Sequence, residues 1–216
     1  VDGAAPGPVA EIHVVDDDEP LRTALLRLLG AGGFEARGYG SAGDFLLSPL
    51  PDRTGCVLLD VRMPGPTGLD LQAALRERGI GLPVIFLTGH GDVSTSVQAM
   101  KTGAVDFLTK PVEREILFEA LHRALALDAS ARKSHYEAIQ LRARFAALTP
   151  REREIFDLVV AGRLNKQIAG QLGIAERTVK ADRAQVLLKL GVGSAAELGA
   201  LAERLRGLPG DAARRS

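Results

Sequence analysis

Acidic, hydroxyl and ammonium side chains follow four short apolar runs in the first half of the chain, at Asp16 and Asp17, Asp60, Thr88 and Lys110. Carboxylates brought close together raise each other's pKa, and a divalent cation removes that conflict. Ligand sets made only of oxygen suit Mg²⁺, which bridges carboxylates to phosphate groups. A carboxylate can also act as a nucleophile and form an aspartyl phosphate. Together these side chains would suit phosphoryl transfer that depends on Mg²⁺ or Mn²⁺.

Each of these residues also has an ordinary structural interpretation. The acidic run 16–19 precedes a helical pattern, where such residues commonly cap a helix and interact with its dipole. An aspartate that ends a strand is most often a turn residue. Thr88 would suit a turn before Gly89, and Lys110 would suit an exposed loop. The joint placement at four strand ends favours a shared site, because each ordinary interpretation would have to coincide with that position by chance.

The elements that would position these side chains alternate between strand and helix. Apolar strand patterns occupy Ile12–Val15, Phe34–Tyr39, Cys56–Leu59, Pro83–Leu87 and Val105–Leu108. Helical patterns follow them at 21–29, Ala42–Leu47, Leu69–Arg78, Val93–Met100 and about Val112–Leu127. Short apolar strands separated by helices predict an α/β fold with a doubly wound five-stranded parallel sheet. In such sheets the functional site lies outside the carboxyl ends of the strands.

Residues 128–147 contain no glycine or proline and predict a helical linker. Apolar residues recur in it at spacings of three and four, at Tyr136, Ile139, Ala143 and Ala146. This spacing would permit a short coiled-coil seam. A mostly solvated connector helix is the alternative, because two heptads of mixed quality are marginal alone.

Beyond the linker the pattern predicts four helices in an all-α domain. Their expected bounds are Thr149 to Val160, Asn165 to Leu172, Ala175 or Glu176 to Leu190, and Ser194 to Leu205. Thr149, Asn165 and Ser194 are the expected N-caps. The second and third helices are separated by a short turn that contains Gly173, which is the signature of a helix-turn-helix.

Composition limits the class of protein. The chain has 216 residues, of which 46% are apolar and 25% charged, which excludes a disordered chain and allows one large or two small domains. Residues 1–127 hold 11 basic and 17 acidic side chains, whereas residues 148–208 hold 10 basic and 7 acidic ones. The acidic half would suit a cation and the basic half a polyanion.

Cysteine usage and apolar runs indicate a compartment. A single cysteine, Cys56, excludes an intrachain disulfide and zinc-finger spacings and favours a reducing compartment. No apolar run approaches the ~20 residues of a membrane helix, and no signal peptide is visible. We therefore expect a cytoplasmic protein with no membrane contact, a disordered leader at 1–8 and a disordered tail at 208–216.

Two sets of motifs resemble a known family. The first set is Val14-Val15-Asp16-Asp17-Asp18, Asp60-Val61-Arg62-Met63-Pro64-Gly65, Phe86-Leu87-Thr88-Gly89-His90-Gly91-Asp92 and Ala99-Met100-Lys101-x-Gly103-Ala104-x-Asp106-Phe107-Leu108-x-Lys110-Pro111. The second set is Leu148-Thr149-Pro150-Arg151-Glu152-Arg153-Glu154, Asn165-Lys166-x-Ile168-Ala169, Leu172-Gly173-Ile174 and Arg177-Thr178-Val179-Lys180. Together they resemble two-component response regulators of the FixJ subgroup. The resemblance covers residues 9–206 and implies a flavodoxin-like receiver domain at 9–127, the linker at 128–147 and a LuxR-type helix-turn-helix domain at 148–207.

The resemblance implies a role for each residue of the first group. Asp60 resembles the phosphoacceptor, with a histidine kinase as donor. The implied metal ligands are Asp16, Asp17, Asp60 and the backbone carbonyl of Arg62. The implied switch hydroxyl, the aromatic side chain that follows it inward and the phosphoryl-binding lysine are Thr88, Phe107 and Lys110. The protein would be a regulator, whose only chemistry is its own phosphorylation and autodephosphorylation.

The family also implies partners for both domains. Phosphorylation would promote a homodimer through the surface at about Val93–Met100 and Val105–Leu108, and the output domain would contact RNA polymerase. A helix-turn-helix places its second helix in the major groove of double-stranded DNA. The candidate DNA contacts are Asn165, Lys166, Arg177, Thr178, Lys180 and Arg183. The first two suit phosphate contact at a helix start, and Lys180 and Arg183 are the best candidates on the recognition helix.

One position departs from the family pattern. Two residues after Lys180 the family usually has histidine, and this chain has Asp182. A carboxylate that faces phosphate would be repelled, so Asp182 either points away, pairs with a neighbouring cation or accepts a hydrogen bond from cytosine N4. We expect Asp182→His to strengthen general DNA affinity.

Two other functions compete with this interpretation. A haloacid-type phosphatase would need a second aspartate two residues after the nucleophile, where this chain has Arg62, and would not explain the helix-turn-helix. A constitutive DNA-binding protein could use the receiver only for dimerisation. The presence of Asp16, Asp17, Asp60, Thr88 and Lys110 argues against that, because a degenerate receiver does not need them.

Overall fold

A parallel sheet forms the centre of the first part of the molecule. The computed structural model describes residues 10–89 and 99–207, and the strands in these ranges are β1 (Glu11–Val15), β2 (Glu35–Tyr39), β3 (Gly55–Asp60), β4 (Val84–Thr88) and β5 (Asp106–Thr109). Their order is β2-β1-β3-β4-β5, and every neighbouring pair is parallel. The predicted doubly wound five-stranded sheet is confirmed. The expected leader 1–8, tail 208–216 and most of the helix Val93–Met100 lie outside the described residues.

Three helices follow the first strands: α1 (Glu19–Ala31), α2 (Ala42–Leu47) and α3 (Gly68–Glu77). Each begins at a side chain that accepts a backbone N–H of the first turn, namely Asp18, Ser41 and Thr67. These caps satisfy donors that the helix itself leaves unpaired.

The sheet buries apolar side chains on both faces. Because side chains alternate along a strand, Ile12 and Leu58 pack on one face with residues of α1, while Val15 and Leu59 pack on the other with residues of α2 and α3. Because both faces of the sheet are covered, the carboxyl ends of its strands are where polar residues can gather and remain accessible.

The helix after β5 continues through the predicted helical linker. The pattern predicts a helix to about Leu127 and a helical linker at 128–147, and the structure joins them in one helix, α4, from Arg114 to Ala146. The chain divides into two compact units between Arg132 and Lys133, so this helix contributes to both. No glycine or proline interrupts residues 128–147, and this accounts for the continuation of the helix.

The second unit is helical and has its own core. Its elements after α4 are α5 (Pro150–Val160), α6 (Asn165–Leu172), α7 (Glu176–Leu190) and α8 (Ala195–Gly207). The core is built from buried side chains of α4 to α8, including Leu141, Ile155, Ile168, Val186 and Leu198. Among the described residues no single helix is long and apolar enough to cross a membrane, and only α7 with α8, bent by 53°, meets that test as a pair.

The helix ends of the second unit test the predicted caps. Thr149 caps α5 in a reciprocal hydrogen-bond pair with Glu152, as predicted. The predicted cap at Asn165 is wrong, because Leu164 is the N-cap and Asn165 is the first helical residue. Between α6 and α7, Gly173 has φ 65°, a conformation that favours glycine and forms the tight turn.

Candidate functional sites

Three carboxylates meet at the carboxyl edge of the sheet. Asp16 follows β1, Asp17 follows Asp16, and Asp60 ends β3. One oxygen from each side chain lies within 4.8 Å of an oxygen of the other two. Asp16 and Asp60 are buried and Asp17 is exposed, so the cluster opens to solvent on one side. The convergence predicted from the topology is therefore present.

Lys110 brings a positive charge into the cluster from the far strand. It follows β5, and its Nζ lies 2.7 Å from Asp16 Oδ2 and 3.2 Å from Asp60 Oδ1. One ammonium therefore bridges two buried carboxylates that are 44 residues apart in sequence. With Asp17 included, the four side chains hold three negative charges and one positive charge when all are ionised.

The pKa values of Asp60 and Lys110 reflect this arrangement. Burial raises the pKa of Asp60 above its ordinary value and the charge of Asp16 adds to the rise, although Lys110 and a backbone hydrogen bond from Arg62 oppose it. Burial alone would lower the pKa of Lys110, but its hydrogen bonds and charge interactions with Asp16 and Asp60 leave that pKa raised. Lys110 is therefore a fixed cation at neutral pH.

The cluster fits a hard divalent cation. Its donors are carboxylate oxygens, which Mg²⁺ and Mn²⁺ prefer, and one ammonium cannot neutralise three carboxylates. Arg62 lies two residues after Asp60, with an exposed side chain in the loop before α3. A backbone carbonyl in that loop is a suitable further ligand by chemistry.

Thr88 and Phe107 lie beside the cluster. Thr88 is the last residue of β4 and is 3% exposed, and its backbone carbonyl accepts the N–H of Lys110 at 2.7 Å. Phe107 in β5 is half-buried, with its ring 6.3 Å from that of Phe86. Phe107 thus packs with the core, and Lys110 links this end of the sheet to Asp16 and Asp60.

Sequence reasoning missed two residues that shape this edge. Arg22 in α1 donates from Nη1 to the backbone carbonyl of Asp16 at 2.6 Å. Gly68 begins α3 so close to β3 that a Cβ there would lie 2.3 Å from the backbone oxygen of Asp60. No local signal marks Arg22, but a glycine directly after the capping residue Thr67 could have indicated the close approach.

The candidate DNA-contact residues fall into two groups. Lys166, Arg177, Thr178 and Lys180 are exposed at the start of α6 and along α7. The other two candidates, Asn165 and Arg183, are half-buried. Arg183 Nη1 donates to Asn165 Oδ1 at 3.0 Å, so these two side chains join α6 to α7.

Asp182 pairs with a cation of the same unit. Its Oδ2 lies 3.5 Å from Arg151 Nε, and Arg151 Nη1 also donates to Glu154 at 3.0 Å. Of the three options that the sequence leaves open for Asp182, this contact favours pairing with a neighbouring cation. Arg151 is consequently shared between two carboxylates.

Two family profiles match the chain at the two units. The profile described as the response regulator receiver domain matches residues 12–122. The profile described as bacterial regulatory proteins of the luxR family matches residues 146–202. This chain belongs to the response regulators. The receiver of this response regulator carries the acidic cluster, and its LuxR-type domain carries α6 and α7.

Full-length relatives share both domains with this response regulator. Nodulation protein W of Bradyrhizobium diazoefficiens is 43% identical over 196 residues, which cover 91% of this chain and 86% of the relative. The transcriptional regulatory protein FixJ of Rhizobium meliloti is 42% identical over 179 residues, covering 83% and 88%. The solved structure of the response regulator StyR matches with TM-score 0.82 and 43% identity over 91% of this chain and all of that chain.

Family membership fixes the general function. The response regulator is homologous to transcriptional regulators of the FixJ type, its receiver implies a histidine kinase as partner, and its LuxR-type domain implies DNA binding.

Proposed function

We propose that Asp60 accepts a phosphoryl group from a sensor histidine kinase and that this modification controls DNA binding by α6 and α7. The observation that carries the proposal is the cluster of Asp16, Asp17 and Asp60 bridged by Lys110. It supplies a nucleophile, oxygen ligands for a cation and a fixed ammonium at one point.

The chemistry follows from these side chains. A carboxylate oxygen of Asp60 attacks phosphorus and forms an aspartyl phosphate. The bond between phosphorus and the histidine nitrogen of the kinase breaks, and its electron pair stays on that nitrogen. Lys110 then pairs with the phosphoryl oxygens instead of with Asp60. Asp16, Asp17, Asp60 and the Arg62 carbonyl would hold Mg²⁺ or Mn²⁺. When bound, that cation neutralises charge on the transferring group.

The switch is the second part of the proposal. The phosphoryl group carries about −1.5 to −2 charge at neutral pH, in place of the single charge of the Asp60 carboxylate. The Thr88 hydroxyl moves toward it while Phe107 follows inward. The changed surface is that of residues 93–100 and β5, and it forms a homodimer. Autodephosphorylation returns the receiver to its first state. The protein acts in the cytoplasm.

The DNA-binding part rests on the exposed cations of the helix-turn-helix. Lys166, Arg177, Thr178 and Lys180 contact phosphates or base edges, as exposed polar side chains on a recognition helix do. Asn165 and Arg183 belong to the same interface, where their mutual hydrogen bond limits how far each can reach. The domain bounds 9–127, 128–147 and 148–207 are part of this proposal, as is contact with RNA polymerase.

The decisive experiment is the intact mass of the full chain after incubation with acetyl phosphate and Mg²⁺. We expect one phosphoryl group on the wild type and none on Asp60→Asn. Glu77→Gln, which removes an exposed carboxylate on α3 outside the cluster, should be modified like the wild type. The adduct should be removed by hydroxylamine, which cleaves acyl phosphates. An adduct that persists in Asp60→Asn would contradict the assignment, and no adduct on any variant would favour a receiver used only for dimerisation.

A further inference from the structure

A buried carboxylate marks the place where α4 leaves the first unit. Leu117, Leu121 and Ala124 recur along α4 at spacings of four and three and are fully buried in one core of the sheet. The next position of the same stripe, after another four residues, is Asp128, which is 4% exposed. A carboxylate on the apolar side of a helix is costly unless its oxygens are hydrogen-bonded.

The Asp128 carboxylate has two donors on different elements. Its Oδ2 accepts the backbone N–H of Gly55 at 3.0 Å and the Nε of Arg132 at 2.7 Å. Arg132 Nη1 donates in turn to Asp52 Oδ1 at 2.7 Å. We call Asp52, Gly55, Asp128 and Arg132 the clasp.

The clasp lies between two functionally important points of the chain. Gly55 begins β3, the strand that ends in Asp60. Arg132 is the last residue of the first unit, and α4 continues from it into the second. The receiver profile ends at residue 122 and the luxR profile begins at 146, so neither family description covers Asp128 or Arg132.

We propose that Asp128 is a positioning residue, which anchors α4 to the first amide of β3 and thereby couples phosphorylation of the receiver to the helix beyond Arg132. The second half of this statement rests on the proposed function of Asp60. Lifting α4 from the sheet would break the hydrogen bond from Gly55 to the buried Asp128 carboxylate and the one from Arg132 to Asp52. The clasp therefore fixes the register of the helix on β3. Without it, the apolar contacts hold α4 on this core only as far as Leu125.

The single cysteine of the sequence offers a direct probe of this anchor. Cys56 follows Gly55, is fully buried and packs in the same cluster as Leu117, Leu121 and Ala124 of α4. Burial, with a smaller contribution from the charge of Asp128, raises the pKa of its thiol to about 12. A thiol reagent therefore reaches Cys56 only when the core covered by α1 and α4 opens. Of these two helices, α4 is the one that Asp128 holds on β3.

The test uses the full chain with Asp128→Ala, Asp128→Asn and the control Lys133→Gln. Asn keeps an acceptor for Gly55, and Lys133 is exposed one residue beyond the clasp. Labelling of Cys56 by a disulfide reagent should be about 10-fold to 100-fold faster in Asp128→Ala, from the loss of charge-assisted hydrogen bonds. Asp128→Asn should fall between it and the wild type, and Lys133→Gln should match the wild type.

The coupling is measured separately, as amide exchange of residues 133–146 with and without acetyl phosphate and Mg²⁺. Phosphorylation should change this exchange in the wild type and in Lys133→Gln, and leave it unchanged in Asp128→Ala although the adduct still forms. Equal Cys56 labelling in all variants would overturn the anchor. If Asp128→Ala is labelled faster but phosphorylation changes its amide exchange at residues 133–146 as in the wild type, Asp128 has a merely structural role and the coupling is overturned. An absent adduct in the wild type would instead refute the phosphoacceptor role and with it the coupling, and the labelling rates would still decide the anchor.

Discussion

The carboxylates of Asp16, Asp17 and Asp60 share one ammonium, so the free cluster is under electrostatic strain. A bound cation should relieve it and stabilise the fold by RT ln(1 + [Mg²⁺]/Kd), about 1.4 kcal/mol at tenfold excess. Asp17→Asn should be about 0.5 kcal/mol more stable than the wild type without Mg²⁺ and should gain little when Mg²⁺ is added. Thermal unfolding with MgCl₂, against NaCl of equal ionic strength, measures both effects. A variant stabilised by Mg²⁺ as much as the wild type would exclude Asp17 as a ligand.

His13 makes stability depend on pH. It is 2% exposed, and burial lowers the pKa of its imidazole below 6.5, although Glu11 opposes this. Below about pH 6.5 the unfolded chain therefore binds a proton that the folded chain does not, so stability falls as the pH falls toward the folded pKa. The loss approaches about 1.4 kcal/mol per pH unit. Urea unfolding at pH 7.5 and 5.5 should show a smaller difference in His13→Gln than in the wild type, and equal differences would assign the pH dependence to other groups.

At the scale of elements, the junction of β3 and α3 tolerates no side chain. A Cβ at Gly68 would lie 2.3 Å from the Asp60 carbonyl oxygen, whereas one at Gly30 in α1 would meet nothing within 4 Å. Gly68→Ala should cost about 1–3 kcal/mol through displacement of α3 and should slow phosphorylation of Asp60. The matched change Gly30→Ala should stabilise the fold by about 0.5 kcal/mol. Urea unfolding and adduct formation test both, and a wild-type-like Gly68→Ala would show that α3 moves freely.

The recognition helix α7 carries a second prediction at this scale. Asp182 is a half-buried carboxylate on this helix, and its Oδ2 lies 3.5 Å from Arg151 Nε, so it engages one cation of the unit. Asp182→His should therefore strengthen binding to a duplex of random sequence, with Asp182→Asn showing the part due to charge removal alone. Fluorescence anisotropy at several salt concentrations measures this, since phosphate contacts steepen the salt dependence. Unchanged or weaker binding would mean that Asp182 does not face the phosphates.

The elements also show what the sequence can predict. Apolar runs bounded by polar residues placed β3 at Cys56–Leu59, within one residue of each observed end, and parallel topology brought Lys110 to Asp16 across 94 residues. The local sequence pattern failed to predict the role of a side chain whose partner is distant in sequence. Asn165 has the chemistry of a cap, but its side chain accepts from Arg183, 18 residues away. The absence of glycine and proline from residues 128–147 predicted a helix there, but it did not decide whether that helix is continuous with the one before it, as it is in α4.

At the scale of the whole molecule, charge is divided between the units. Residues 1–132 hold 12 basic and 18 acidic side chains, and residues 133–216 hold 15 basic and 9 acidic ones. An acidic unit joined to a DNA-binding unit lowers the attraction of the chain for a polyanion. Phosphorylation makes the acidic unit more negative by only about 0.5 to 1 charge, because the phosphoryl group brings about −1.5 to −2 and replaces the single negative charge of the Asp60 carboxylate. Electrostatics alone therefore predicts that phosphorylation weakens DNA binding.

This sign gives the prediction that best separates mechanisms. Fragment 133–216 should bind a random-sequence duplex more tightly than the unphosphorylated full chain at about 50 mM salt, and the gap should close toward 1 M, where the Debye length is about 3 Å. If phosphorylation then strengthens binding by the full chain, the gain must come from dimerisation or release of the output domain, because the added charge acts against it. Anisotropy titrations at several salt concentrations, with Asp60→Asn as control, measure both the affinity gap between fragment and full chain and the effect of phosphorylation on the full chain. A gap that persists at high salt would indicate a steric block by the receiver instead of charge.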